Sequence, residues 1–114
     1  MTQVSDLSDG PWLELAPGVR MSPLFGEGAM LNLLEFEPGA SVAEHSHPHE
    51  QLGLIVDGEL VMVIDGVEHR LTAGHGYQIP GGVPHDAWTE EGRRCRVLDV
   101  FQPVREDYRE RARG

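Results

Sequence analysis

The apolar residues of this chain occur in short runs. Between Pro11 and Pro103, runs of about four to eight residues rich in Val, Leu and Ile alternate with breaks of Gly, Pro or Asp-Gly. No stretch in this region keeps a helical period for more than about a dozen residues without a breaker. Short runs bounded by turn residues are typical of strands. The pattern predicts an all-β domain over residues 11–104.

Two Asp-Gly pairs, Asp57-Gly58 and Asp65-Gly66, lie between apolar runs. Asp-Gly suits the tight turn of a hairpin, because both central residues of that turn need a positive φ. Each pair therefore predicts a hairpin. Many short strands whose edges need protection favour a closed barrel or a jelly-roll sandwich.

The two ends of the chain differ from this region. Residues 1–10 are polar and rich in Ser and Asp, so we expect a flexible tail. Residues 105–114 place Glu106 and Asp107 four positions before Glu110 and Arg111, a helical spacing. We expect a C-terminal tail there that contains a short helix.

Length and charge limit the class of protein. A chain of 114 residues is the size of one domain. Its nine Arg and 19 acidic residues, with no Lys, give a net charge of −10. That sign disfavours nucleic acids and anionic membranes as partners. The absence of Lys excludes Schiff-base chemistry and a phosphate-binding lysine.

Cysteine content and the N-terminal sequence bear on the cellular compartment. The single cysteine, Cys95, forms no internal disulfide and no thiolate zinc cluster, and its apolar neighbours indicate a small strand residue. The N-terminal residues lack a basic segment followed by an apolar one, and no apolar run approaches the roughly 18 residues of a membrane span. We expect a cytoplasmic protein.

The candidate chemistry is concentrated in the histidines. His45 and His47 are two residues apart, so in a strand both imidazoles lie on one face and can reach one metal ion. His69 and His75 lie in a predicted strand and a predicted turn, and we expect them to be ordinary histidines.

Two blocks of sequence give the histidines a context. The first runs from Gly39 to Gly58, and the second runs from Gly74 to His85. In spacing and residue type they resemble the two signature motifs of the cupin superfamily, although Gln51 stands where Glu is usual and Thr89 where Asn is usual. The resemblance implies a double-stranded β-helix, a jelly-roll barrel, and commonly a homodimer. It also implies a metal held in the barrel mouth by His45, His47, Gln51 and His85.

The amide at position 51 affects the chemistry expected of the metal. Three neutral imidazoles and a neutral amide leave the full charge on a divalent ion, which favours Lewis-acid chemistry. His49 and Glu50 are alternatives to Gln51 as the fourth ligand. We expect one divalent transition metal ion, and Ni, Zn, Mn, Fe, Co and Cu are not distinguished.

The last predicted strand carries an acid on an apolar face. Val97, Asp99 and Phe101 alternate, so the face that buries the two apolar residues also buries the carboxylate. A buried carboxylate needs a hydrogen bond, a cation or a catalytic task. Either Asp99 forms a structural ion pair with Arg105, or the acid faces a substrate and Arg105 holds the substrate's anionic group.

The segments HSHPHEQ and DVFQPVREDY resemble the small pectin-degradation cupins. These bacterial proteins convert cyclic unsaturated uronates into linear keto-acids. The resemblance implies a metal-dependent enzyme for a small anionic substrate, with Asp99 and Arg105 catalytic and Phe101 beside the substrate. Tyr77 and Trp88 are further candidates for lining the site. The alternatives are a cupin dioxygenase and a non-catalytic cupin that binds a small molecule.

Overall fold

The computed structural model describes residues 2–114 and contains nine strands and one α-helix in that range. Every strand pair is antiparallel. The elements in chain order are β1 (Leu13–Ala16), β2 (Val19–Phe25), β3 (Met30–Phe36), β4 (Ser41–His45), β5 (Glu50–Ile64), β6 (Val67–Thr72), β7 (Gly76–Ile79), β8 (His85–Trp88), β9 (Cys95–Gln102) and α1 (Glu106–Ala112).

The strands form a nearly closed barrel in the order β1-β2-β3-β9-β5-β8-β4, with β6 and β7 also paired to β5. The first half of β5 pairs with β7 and β9, and its second half pairs with β6 and β8. One long strand therefore belongs to both walls of the barrel. The fold is the all-β jelly roll that the sequence predicts, followed by a C-terminal helix.

The two Asp-Gly pairs behave differently. Asp65 and Gly66 both have positive φ and join β5 to β6, which confirms that hairpin. The hairpin predicted at Asp57-Gly58 is wrong, because β5 continues through these residues with a bulge between Ile55 and Asp57. Gly58 has φ of 86°, and a Cβ there would lie 2.0 Å from the carbonyl oxygen of Arg94. This glycine serves a bulge and a close backbone approach.

The core lies between the two walls of the barrel. Its residues come from alternate positions of the strands, as expected when one face of each strand is buried. The most deeply buried apolar side chains of this core are Val19, Met21, Ile55, Leu60, Ile79 and Val97. Val61 is equally buried but follows Leu60 directly in β5 and therefore lies on the opposite face of that strand. This packing fixes the strands whose ends carry the candidate site.

The segments outside the barrel contact its strands. Residue 1 of the expected tail lies outside the described residues. Leu7–Asp9 form a 3-10 helix, and the Gln3 amide donates to the Phe25 carbonyl at 2.9 Å. The helix α1 buries Tyr108. No helix within residues 2–114 is long and apolar enough to cross a membrane.

Candidate metal centre

Three of the four predicted ligands come together at one end of the barrel. His45 ends β4 and is paired in register with His85, which begins β8. His47 follows β4 by two residues. The ligand atoms of these three imidazoles all lie within 4.8 Å of one another. Both His47 and His85 are buried, and His45 is half-buried.

Each imidazole is oriented by a backbone carbonyl two residues away. The Nδ1 atom of His45 donates to Ala43 at 2.9 Å, and that of His85 donates to Val83 at 2.9 Å. The Nδ1 atom of His47 donates to His49 at 3.1 Å. With the proton on Nδ1, each Nε2 carries a free lone pair. Such carbonyl contacts are the usual way to fix the tautomer of a metal-binding histidine.

Gln51 completes the donor set from the start of β5. Its Oε1 lies 3.0 Å from Nε2 of His47. The Gln51 amide therefore presents its oxygen to the histidine cluster. Both ring nitrogens of His47 thus face an oxygen, and a neutral imidazole has only one proton. With that proton on Nδ1, the lone pairs of Nε2 and of the Gln51 oxygen face each other, an unfavourable contact that a cation bonded to both would make favourable.

The donor set fits a divalent transition metal ion. Burial, reinforced by the positive charge of Arg105, lowers the pKa of His47 to about 4, so its imidazole is neutral and free to ligate near pH 7. Burial likewise lowers the pKa of His85. The Nε2 atom of His85 is buried without a hydrogen-bond partner among the described residues. A metal ion would satisfy this orphaned atom.

The glycines of the second sequence block hold the first block in place. The Gly82 N–H donates to the His47 carbonyl at 2.8 Å. A Cβ at Gly81 would lie 2.3 Å from the Pro48 carbonyl oxygen, so only glycine permits this approach. The two blocks, far apart in sequence, thus touch at the loop that carries His47.

The two alternatives to Gln51 point elsewhere. Glu50 is exposed and accepts a hydrogen bond from Gln78 at 2.9 Å. The backbone carbonyl of His49 orients His47, and the His49 ring is not part of the cluster of His45, His47 and His85. Gln51 is therefore the side chain that faces the cluster.

Asp99 lies below the histidines on β9, fully buried, and Tyr77 of β7 donates a hydrogen bond to it. Burial raises the pKa of Asp99 to about 6, against the opposing effects of hydrogen bonds from Tyr77 and Gln51 and the charge of Arg105. Burial and the Asp99 carboxylate raise the pKa of Tyr77 well above its usual value, so it keeps its proton. Asp99 is a carboxyl group that can gain or lose a proton near neutral pH.

The Tyr77 ring lies across Gly53, which is in register with both Tyr77 and Asp99. A Cβ at Gly53 would lie 2.0 Å from Cζ of Tyr77. The missing side chain at position 53 therefore makes room for the tyrosine that reaches Asp99. Tyr77 donates its hydrogen bond to Asp99 but does not line the cavity.

Arg105 is buried just before α1 and pairs with Asp107, at 2.7 Å between Nη2 and Oδ2. It also donates to the Tyr108 hydroxyl at 2.9 Å and stacks on that ring, with Cζ 3.8 Å from the centroid. The direct Asp99–Arg105 ion pair considered from the sequence does not form, because the Arg105 guanidinium turns toward the exposed Asp107 carboxylate. Arg105 remains beside Phe101, 5.1 Å from its ring centroid.

These groups surround a cavity of about 40 Å³. Its polar lining includes Asn32, His45, Gln51, His85, Asp99 and Arg105. Phe101 and Tyr108 add aromatic walls. Trp88 is not among the lining residues, since it lies three positions beyond His85 and therefore on the other side of β8.

Asn32, Asp86 and Tyr108 are polar or aromatic lining residues that the sequence did not point to. Asn32 interrupts the apolar face of β3, and that interruption was a signal in the sequence. Tyr108 lies on a helix outside the barrel, and no local pattern indicated that this helix would cover the cavity. A cavity of this size holds a few water molecules.

A model of the cupin domain matches residues 32–101, and the chain belongs to this family. The Escherichia coli HTH-type transcriptional regulator PuuR is 32% identical over 60% of this chain and 38% of its own length. The pectin degradation protein KdgF of Dickeya dadantii is 29% identical over 86% of this chain and 90% of its own length.

Among solved structures, KdgF from Halomonas sp. superposes with a TM-score of 0.86 and 25% identity, over 95% of this chain and 99% of that one. The chain spans only 38% of the length of the first curated relatives it matches. The two KdgF proteins, in contrast, are matched over nearly their full length.

Proposed function

We propose that this protein is a metal-dependent cupin enzyme that converts cyclic unsaturated uronates into linear keto-acids. The observation that carries the proposal is the placement of three lone-pair-bearing imidazoles and an amide oxygen beside a buried acid with a pKa of about 6. The likeness to KdgF proteins along nearly the whole chain supports the same conclusion.

His45, His47, His85 and Gln51 would hold the metal ion. When bound, a divalent ion with neutral ligands supplies Lewis acidity, which polarises substrate oxygens and stabilises developing negative charge. The neutral state of His47 near pH 7 follows from its lowered pKa. The role of Gln51 follows from its amide oxygen, which lies 3.0 Å from Nε2 of His47.

Arg105 would bind the substrate carboxylate. Its guanidinium is buried, stacked on Tyr108 and fixed at the cavity wall. Asp107 now occupies part of its hydrogen-bonding edge, but that carboxylate is largely exposed, so its ion pair is weak. A substrate carboxylate can displace Asp107 and form the paired hydrogen bonds that guanidinium favours.

Asp99 would move the proton. Ring opening of a hemiketal and ketonisation of an enol each need a group that accepts and donates a proton. With a pKa raised to about 6, Asp99 can do both near neutral pH. Phe101 and the other apolar walls limit the access of water to this carboxyl group.

The cavity has room for only a few water-sized molecules, and a six-carbon acid needs more space than that. Tyr108 belongs to α1, a helix of seven residues that closes one side of the cavity. We infer that substrate entry displaces this ring together with its hydrogen bond to Arg105.

The test is turnover of unsaturated galacturonate by the metal-loaded protein, followed by NMR as loss of the ring form above the protein-free rate. We expect Asp99→Asn to lower the rate by about 100- to 10,000-fold with metal content unchanged. We expect Arg105→Ala mainly to raise KM, by about 10- to 100-fold, as for loss of a charged hydrogen bond.

Arg109→Ala is the matched control, because Arg109, four residues after Arg105 and on α1, likewise lies over an aromatic ring, that of Phe25, but does not line the cavity. It should leave KM unchanged. Asp99→Asn and Arg105→Ala proteins that are destabilised yet fully active would show that these two residues have only structural roles.

A non-catalytic binding domain is the second candidate, favoured by the similarity to the regulator PuuR. It predicts binding of a small acid without any chemical change in it. A dioxygenase would require oxygen, so turnover under anaerobic conditions separates it from the proposed isomerisation.

A homodimer is the proposed assembly. The outer face of the sheet carries apolar residues in register across β3, β9 and β5: Leu31, Leu33, Leu52, Leu54, Leu98 and Val100. Leu52 and Leu54 are each nearly half exposed, and contiguous exposed apolar surface is typical of interfaces. Leu54→Glu should then yield monomers in light scattering, whereas Val67→Glu on the exposed part of β6 should not.

A further inference from the structure

Asn32 is a fully buried polar residue that the mechanism above does not use. It lies on the inward face of β3, where its neighbours Met30, Leu34 and Phe36 are apolar core residues. It lines the same cavity as His85. A polar side chain in the middle of an apolar face needs a physical reason.

The hydrogen bonds of Asn32 are incomplete. Its Nδ2 donates to Sδ of Met21 at 3.5 Å, and a thioether is a weak acceptor. This contact orients the amide, since the alternative orientation would place the carbonyl oxygen against the sulfur lone pairs. The Oδ1 atom is then buried with no partner among the described residues.

An unpaired buried carbonyl destabilises a protein, and an apolar side chain of similar shape would avoid that penalty. A bound molecule that donates a hydrogen bond to Oδ1 would remove it. The register places Asn32 opposite Asp99, and such residues have Cβ atoms about 4.5–5.5 Å apart. A ligand that reaches Asp99 therefore also comes within reach of Asn32.

We propose that Asn32 is a specificity-determining residue whose Oδ1 accepts a hydrogen bond from a hydroxyl group of the bound sugar acid. This inference rests on the proposed function, and it adds that the ligand is a hydroxylated acid. An amide oxygen accepts and never donates, so the ligand must supply the hydrogen. A site built to bond a hydroxyl discriminates strongly against an analogue that lacks it.

The test compares binding of D-galacturonate with that of its 2-deoxy and 3-deoxy analogues to the metal-loaded protein by calorimetry. The parent should bind one deoxy analogue at least about tenfold more weakly than galacturonate. In Asn32→Leu and in Asn32→Ala, this ratio should fall to about one. Ser22→Ala is the control, because Ser22 is buried and polar but does not line the cavity, and its ratio should stay at the parent's value.

Equal binding of all three acids by the parent, absence of binding, or a ratio that persists in the Asn32 variants would each overturn the inference. Thermal unfolding of the metal-free protein gives a readout without ligand. Asn32→Leu should raise the unfolding temperature, and a fall would show that Asn32 has a structural partner and would likewise overturn it.

These results are distinguishable from failure of the proposed function. A protein that discriminates the hydroxyl through Asn32 but opens no uronate ring retains the inference and refutes the enzyme. If the protein opens the ring and Asn32→Leu discriminates between the acids as the parent does, the proposed function is retained and the inference about Asn32 is refuted.

Discussion

The replacement Asp99→Asn tests the electrostatics of the site without a substrate. Asp99 is fully buried, and its pKa rises from an ordinary 3.8 to about 6 because burial disfavours the charged form. Between these two pH values the folded protein keeps a proton on Asp99 that the unfolded chain has lost. The native state binds more protons, so this group makes stability fall as pH rises through that window.

The magnitude follows from the shift of about two pH units. At about 1.36 kcal/mol for each unit, deprotonating Asp99 in the folded protein costs about 3 kcal/mol in full. About 2 kcal/mol of this falls between pH 4 and pH 7, because the ordinary pKa lies near the start of that range. Asn has the same shape and no titration. The difference in unfolding free energy, Asp99→Asn minus parent, should therefore increase by about 2 kcal/mol between pH 4 and pH 7.

Urea unfolding of both metal-free proteins at several pH values measures this difference directly. The difference removes the contributions of His47 and of every other group the two proteins share. Glu27→Gln, an exposed acid on a turn, should show no such trend relative to the parent. A flat difference, or a parent that gains stability relative to Asp99→Asn as pH rises, would refute the reasoning. The second result would mean that the Asp99 carboxylate is held by an ion pair.

Three further predictions concern the metal and the support of the acid. Elemental analysis should find about one divalent ion per chain, and His85→Ala should lose it. In Gln51→Glu the metal should remain, while turnover falls because a charged ligand weakens its Lewis acidity; an unchanged rate would contradict this role. Gly53→Ala should lower the free energy of unfolding by about 1–3 kcal/mol, because the new Cβ would displace Tyr77. Gly28→Ala, with open space around it, should not lower it by this amount.

The fold was largely predictable, because strand runs and turn residues are local signals. Asp65-Gly66 forms its hairpin between strands that pair side by side. Asp57-Gly58 has the same two letters but lies where β5 passes from β9 to β8, so pairing with distant strands overrides the turn preference. The residues around an Asp-Gly pair do not show whether it will form a hairpin turn or lie within a strand that pairs with distant strands.

The candidate site was predictable only where its spacing is local or its motif is known. His45 and His47 follow from strand alternation, whereas their proximity to His85 required the resemblance. The contact of Tyr77 with Asp99 depends on two strands that both pair with β5, and no sequence distance indicates it. The ion pair of Arg105 with Asp107, rather than Asp99, depends on how the chain turns into α1.

The bulge in β5 also sets which residues of the strand face inward. Before it, Gln51 and Ile55 face the interior, and after it Leu60 and Met62 do, so inward positions change from odd to even numbers. Removing one residue from this bulge would rotate one half of the strand by a full alternation. Either Leu60 and Met62 would leave the core, or Gln51 would leave the histidines. Most loops tolerate insertions and deletions, but this bulge should not. A single deletion here could preserve the packing of the core or the position of Gln51 beside the histidines, but not both.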